Sequence, residues 1–345
     1  MQKATSNNFF RKHAAVLFTI PCLIAVIYSL GFRAKFIGSD TEGYILAFNI
    51  FSSTGTVNTR YDWLFLSTMK GVALCGANSS YWFAIIVFVN IVLCGINAYL
   101  ANNLLGNVRN NSKYLLFVYI LTFISPFFIS AQINVIRQGL SLSFVFLFYL
   151  LALNRYSTIW LLFSAIIATG FHSSAWLFIL PSIGLLYRYK TIIKITLLLV
   201  LLYVTHVFSY LIEKFSLLFN YSLYDKIMNY GVNGYYITGV KYKFLIFTLG
   251  MGAIAHSLGK YLQLASHKEK YFDLMKIYWL LALPFYFIGF GKYSDRLLFP
   301  SWNFLPFIFA ATLKKGDDFF CLPLYLWMLV IYCIGILYLI YNLLT

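Results

Sequence analysis

The chain has 345 residues, 61% of them apolar, and its 26 Lys and Arg outnumber 10 Asp and Glu to give a formal charge of +16. Soluble domains are roughly 45 to 50% apolar. Roughly 210 apolar side chains instead supply about ten spanning helices at roughly 20 residues each, which indicates an integral membrane protein with no room for a separate soluble domain. The positive charges fall singly between apolar runs rather than in a block or stripe, which argues against nucleic-acid binding.

Runs long enough to span are centred on 14–32, 79–103, 114–130, 134–153, 156–187, 191–212, 244–259, 277–291, 297–313 and 319–343. The first follows Arg11-Lys12-His13, contains Pro21 and lacks an A-x-A site, so a retained helix is expected rather than a cleaved signal. The fifth, between Arg155 and Arg188, would be about 48 Å long as one helix, against a hydrocarbon core of about 30 Å. Gly170-Phe171-His172-Ser173-Ser174 falls near its middle and predicts two short helices meeting at a polar tip inside a protein-lined cavity. The expected fold is therefore all-α, a single integral membrane domain over 1–345 with about eleven transmembrane helices.

An inside N-terminus puts a small majority of the Lys and Arg on the cytoplasmic side, as the positive-inside rule requires. Two long segments then face outward. Residues 33–78 contain Gly38-Ser39-Asp40-Thr41-Glu42-Gly43-Tyr44, where Ser39 or Asp40 is placed to cap a helix running to Phe51. Residues 213–243 carry Tyr221, Tyr224, Tyr230, Tyr235, Tyr236 and Tyr242 among Asn and Gly. This composition suits an interfacial belt and equally the faces and hydroxyls of a sugar.

Several chemistries lack their motifs. The sequence contains no GxxxxGK[ST], HExxH, GxSxG or DxD, and Asp317-Asp318 lies beside Lys314-Lys315 in a short inside loop. No metal site is expected. Cys22, Cys75, Cys94, Cys321 and Cys333 have no CxxC spacing and no nearby His, and are expected to pack as small apolar residues. Gly250-Met251-Gly252-Ala253-Ile254-Ala255 fits the dinucleotide pattern by letter but lies in an apolar run with no preceding strand, so close helix packing is the better account.

A few ionisable residues remain at span ends. Arg137 opens a span as Ile136-Arg137-Gln138-Gly139-Leu140, after a turn expected over Ser125–Gln132. At such depth an Arg costs up to about 2.5 to 3.5 kcal/mol and should face a cavity or a partner, unless it snorkels to the interface. Gln138 points in a different helical direction. His172, at the broken tip, suits a base, a phosphate ligand or a satisfied interior histidine. Arg296, within Lys292-Tyr293-Ser294-Asp295-Arg296, suits a surface pair with Asp295 or half of an anion clamp. Asp40 and Asp62 suit helix caps or loop acids. The threading puts Asp40, Asp62, Arg137, His172 and Arg296 on one side of the membrane, where two guanidiniums, an imidazole and a carboxylate suit an anionic diphosphate leaving group and a hydroxyl to be deprotonated.

The chain resembles the EpsG and Wzy group of bacterial polysaccharide repeat-unit polymerases. The resemblance rests on Ile37-Gly38-Ser39-Asp40-Thr41 with Tyr44, Tyr61-Asp62-Trp63-Leu64, Ser125-Pro126, Ile136-Arg137-Gln138-Gly139-Leu140, Phe171-His172-Ser173-Ser174-Ala175 with Pro181, and Tyr293 through Arg296. Ser39 stands where Thr is commoner in that family, and Asp62 and Asp295 where Glu is commoner.

The resemblance implies a C-type glycosyltransferase-like enzyme of the bacterial inner membrane. Such an enzyme joins oligosaccharides carried on undecaprenyl diphosphate into O-antigen or capsule-like chains at the outer face, without a cofactor and with a chain-length regulator as partner. Mapped here, Arg137 and Arg296 hold the diphosphate and His172 or Asp40 handles the acceptor hydroxyl. Gln138, Asp62, Tyr44, Tyr293, Tyr235 and Tyr236 bind substrate. The rivals are a ligase of the same glycan, a lipid-linked oligosaccharide flippase, which nearly charge-free mid-span regions disfavour, and a membrane O-acyltransferase.

Overall fold

A computed structural model describes residues 20–56, 61–106, 111–228, 238–262 and 268–312. Among these residues every regular element is a helix. They group into two compact units divided after Ala175.

The first unit begins with α1 (Ile20–Gly31). Two helices lie in the segment expected as an outward loop: α2 (Thr41–Thr54) and α3 (Trp63–Leu74). The expected helix through Tyr44 is present and runs past Phe51; α3 was not anticipated. Asp40 and Asp62 occupy the N-cap positions of α2 and α3, yet neither side chain makes a cap hydrogen bond. Asp40 accepts from the hydroxyl of Ser39 at 3.3 Å, and the carboxylate of Asp62 is engaged elsewhere. Tyr44, Phe65 and Trp82 meet edge to face between α2, α3 and the helix that follows.

That helix, α4 (Ser79–Leu104), is capped by Asn78, whose side chain accepts from the Ser80 and Tyr81 amides. Its large apolar residues Ile85, Phe88, Val92, Ile96 and Tyr99 are exposed at three- and four-residue spacing, whereas Asn90, Cys94 and Asn97 are buried. A helix in water shows the reverse arrangement; an apolar outer face around a polar seam belongs in lipid. Asn90 donates to Gln132 at 3.0 Å and accepts from Ser143 at 2.8 Å, and Asn97 donates to the Ser143 carbonyl at 3.0 Å.

The partners lie on α6 (Pro126–Ile133) and α7 (Ile136–Leu153). With α5 (Asn111–Phe123), α6 forms a pair bent by 67°. Residues 125–132 were expected as a turn, but Pro126 starts a helix because its fixed φ and missing N–H suit a first turn. The unit closes with α8 (Thr158–Phe171), joined to α7 by a 2.8 Å bond from Ser141 to the Ala168 carbonyl.

The second unit contains α9 (Ala175–Ile179, from its second residue), a 3-10 turn over Leu180–Leu186, α10 (Tyr189–Val204), α11 (Val207–Leu218), α12 (Leu223–Met228), α13 (Tyr242–Leu262), α14 (Lys268–Ile288) and α15 (Asp295–Ala311). The long apolar run expected to break near its middle does so at His172. At the core of the unit, Tyr271 and Tyr278 on α14 donate to the Ala255 and Thr248 carbonyls of α13, each at 2.7 Å, and Trp302 of α15 donates to the Thr248 hydroxyl at 2.9 Å. Gly252 sits beneath the Trp279 ring, which bears out helix packing there, while nothing crowds Gly250.

Among the described residues three helices are long and apolar enough to cross a membrane, α4, α7 and α14, and five if the bent pairs α5–α6 and α10–α11 each count as one. The run at 319–343, with Cys321 and Cys333, lies outside the described residues. Cys94 is buried as expected, whereas Cys22, on α1, and Cys75, the residue just after α3, are exposed.

Gly38 has φ +92° and lies so close to Ile133 that a Cβ would overlap its side chain. Gly43, inside α2, has nothing within 4 Å of that position. Gly38→Ala is therefore expected to lower the detergent melting temperature, at a cost of more than about 1 kcal/mol. Gly43→Ala is expected to hold or raise it, by up to about 1 kcal/mol. Equal effects would show that the Gly38 turn is not the close approach described.

Candidate active site

Asp62 ends an extended residue (ψ 148°) just before α3, and its carboxylate joins three elements of the first unit. One oxygen, Oδ2, accepts from Arg137 Nη1 at 3.0 Å and lies 3.3 Å from His172 Nδ1. The other, Oδ1, accepts from the Ser173 amide at 3.1 Å. Arg137 stands on the first turn of α7, and its Nε donates to the Tyr44 hydroxyl at 3.4 Å. The guanidinium carbon lies 5.0 Å from the centre of the Tyr61 ring, within cation–π range.

His172 reaches Asp62 because α8 stops at Phe171. His172 adopts an extended conformation (φ −155°, ψ 117°), and its carbonyl accepts from the Ala175 amide at 2.9 Å, closing the turn. Gly170 permits the approach: a Cβ there would lie 2.8 Å from the Trp63 ring and 3.1 Å from Leu64 Cβ. The Gly170–Ser174 break thus sets His172 against the residue that starts α3.

The side chains of Asp62, Arg137 and His172 are each about one-fifth exposed, the condition of a site open on one side. Burial pushes the Asp62 carboxyl up, but the His172 hydrogen bond, the Ser173 amide and the charges of His172 and Arg137 outweigh it and hold the group at about 2. Asp62 is therefore ionised at neutral pH and can only accept, so Nδ1 of His172 carries a proton toward it, and the lone pair of the ring in its neutral form lies on Nε2. Such a centre can take a proton from a hydroxyl and present a guanidinium to an anion.

The structure thus brings together Tyr44, Asp62, Arg137 and His172. Asp40 lies one turn before Tyr44 on α2, where its carbonyl accepts from the Tyr44 amide. Gln138, about 100° around α7 from Arg137, is buried. Tyr235 and Tyr236 lie outside the described residues. In the second unit Tyr293 has a left-handed backbone (φ 55°), and the Arg296 guanidinium lies 4.5 Å from the centre of its ring. There the chain on either side of the Tyr-rich loop is tied to the turn before Tyr293: the Gly239 amide donates to the Phe290 carbonyl at 2.7 Å, and Tyr224 stacks on Phe290. Sequence reasoning missed Tyr61 and the Ser173 amide as members of the centre, although both adjoin residues it singled out.

Helices with apolar outer faces, a polar inner seam and an ion-paired centre at helix ends define a polytopic membrane protein. The chain matches the EpsG family over residues 15–345 and belongs to it, which carries a polysaccharide polymerase-like, glycosyltransferase-like role. No curated protein and no solved structure matches it.

Asp62→Asn removes the charge that Arg137 and His172 share. It should lower stability by about 1.5 to 3 kcal/mol at pH 7, as for a lost hydrogen bond to a charged group. Because the folded-state value of about 2 lies below the ordinary 3.8, the contribution of Asp62 is complete above pH 4 and is lost between about 4 and 2. Thermal unfolding of the two proteins in detergent should differ equally at pH 7 and 5 and converge near pH 2. A gap that persists at pH 2 would place the stabilising effect elsewhere.

Proposed function

We propose that this protein is a repeat-unit polymerase of the C-type glycosyltransferase kind. It joins oligosaccharides carried on undecaprenyl diphosphate into O-antigen or capsule-like chains at the outer face of the cytoplasmic membrane. The observation that carries the reading is the placement of His172, Nδ1 on the ionised Asp62, beside the guanidinium of Arg137. Family membership supports the reaction class.

In this reaction the acceptor hydroxyl gives its proton to Nε2 of His172 as its oxygen bonds the anomeric carbon of the donor. The bond from that carbon to the diphosphate oxygen breaks, and the electron pair leaves with the lipid diphosphate. Asp62 keeps the imidazole in the required tautomer and steadies the imidazolium that forms, the part an aspartate plays in hydrolytic triads. Arg137 uses Nε and Nη1 within the protein, which leaves Nη2 for the departing diphosphate. Asp62 is thus assigned to orienting the base rather than to binding substrate. Asp40, whose carboxylate faces Ser39, is the weaker choice for the base. Arg296 engages a lipid-linked diphosphate through its own guanidinium.

Loss of the chain from its host should leave single repeat units on lipid carrier or lipid A; accumulation of long unligated polymer would indicate a ligase instead. With purified protein and lipid-linked units, Arg137→Lys and Arg296→Lys keep the charge but lose the guanidinium fork, and should slow polymerisation about a hundred to a thousandfold. His172→Ala should slow it about a hundred to ten thousandfold, and Lys292→Ala should retain most activity. Normal rates from both lysine variants at normal membrane levels would refute the anion-binding role.

The arginines supply the positive charge in this scheme, so polymerisation should continue in excess EDTA. Loss that a divalent ion restores would show that they do not suffice.

A further inference from the structure

Arg33 follows α1 directly and is 92% buried, with a relative exposure of 8%. Among the described residues it has no carboxylate within 4 Å. An uncompensated buried charge is among the costlier things a fold can hold, so its surroundings bear on what it does. Nη1 donates to the Leu30 carbonyl at the C-terminal end of α1, where the helix dipole favours a cation. The guanidinium carbon lies 4.2 Å from the centre of the Phe83 ring. Nε donates to the Thr41 hydroxyl at 3.1 Å, and Nη2 is buried without a hydrogen-bond partner among the described residues.

Thr41 is fully buried and is the first residue of α2. Its hydroxyl accepts from Arg33 and donates to the Ile37 carbonyl at 2.7 Å, so the turn from 33 to 41 is closed from both sides. The same turn rests on the end of α6, where the Ser39 amide donates to Asn134 Oδ1 at 3.1 Å. Three residues beyond Thr41 stands Tyr44, whose hydroxyl accepts from Arg137. Burial pulls the Arg33 guanidinium down to about 10, and Tyr44 acts in the opposite sense. Since Tyr44 accepts from Arg137 and its own O–H meets no acceptor among the described residues, that proton is available to a ligand oxygen.

We propose that Arg33 is a positioning residue: by pinning Thr41 to the end of α1 it sets the start of α2, so that the Tyr44 hydroxyl meets Arg137 and donates its proton to a phosphate or sugar oxygen of the lipid-linked substrate. The substrate part of this statement rests on the polymerase reading. The positioning part does not.

Two measurements test the parts separately. The first is a double-mutant cycle on kcat with purified full chain and lipid-linked repeat units. Arg33→Met and Thr41→Val should each lower kcat roughly ten to a hundredfold, as small misplacements of a reacting group do, and Thr41→Ser should restore it. Tyr44→Phe should fall in the same range, and adding Arg33→Met to it should cost no more than roughly a further twofold, since the two act as one unit. Losses that multiply, or an unaffected kcat in Arg33→Met, would overturn the proposal. Should Arg33→Met not reach the membrane, the Thr41 pair decides: a normal kcat in Thr41→Val would overturn it.

The second measurement needs no turnover. In a cysteine-free chain, Ser39→Cys with Asn134→Cys should oxidise to a disulfide, and several-fold more slowly when Arg33→Met or Thr41→Val is added. If the unsubstituted chain makes no polymer, the polymerase reading fails while the cross-linking rates still judge the role of Arg33; equal rates would refute it.

Discussion

The carboxylate of Asp62 is the interaction on which the first unit depends. Arg137, His172 and the Ser173 amide all meet it, Arg137 from the start of α7 and the adjacent His172 and Ser173 from the end of α8. An arginine or a carboxylate alone at such a place would be costly. Together they compensate one another, and the arrangement needs α3 to start, α8 to stop and α7 to begin at one point. Gly170 permits that convergence at α8, and the extended backbone of Asp62 permits it at α3.

Packing around the centre follows the physics of lipid rather than of water. With apolar surroundings on the outside, burying Leu or Phe between helices gains little, and association relies on close fit and hydrogen bonds. The seam of α4 shows this directly: Asn90 and Asn97 tie α4 to α6 and α7 while Phe88 and Ile96 face outward. In the second unit, tyrosine hydroxyls on α14 do the same work by bonding to carbonyls of α13.

The ionisation of Asp62 governs what the centre can do. A carboxylate held near 2 stays an acceptor at any physiological pH, which fixes the tautomer of the His172 beside it and keeps a positive group next to the developing negative one. General-base chemistry at one nitrogen and anion recognition at a neighbouring guanidinium are then available from the same carboxylate. The reaction proposed above, glycosyl transfer from a lipid diphosphate, asks for that combination, and EpsG family membership supports a glycosyltransferase-like role.

By itself the sequence determined the all-helical membrane character and the break at Gly170–Ser174, and it singled out Arg137 and His172, which the structure brings together at Asp62. Apolar run length, helix-breaking residues and charges placed where lipid makes them costly are local properties, readable in one dimension. Asp62 was legible only as a loop acid or a cap, because the partners that decide its place are 75 to 111 residues away, whereas the helix begun by Pro126 follows from a local preference that the reading of Ser125–Gln132 as a turn passed over. Arg33 gave no signal at all: one arginine after an apolar run is the commonest sight in a membrane protein. Only the tertiary structure decided that its guanidinium turns inward to Thr41, that Tyr44 reaches Arg137, and that Asp62 holds Arg137, His172 and the Ser173 amide together, since burial and hydrogen-bond geometry arise only when distant segments are packed together.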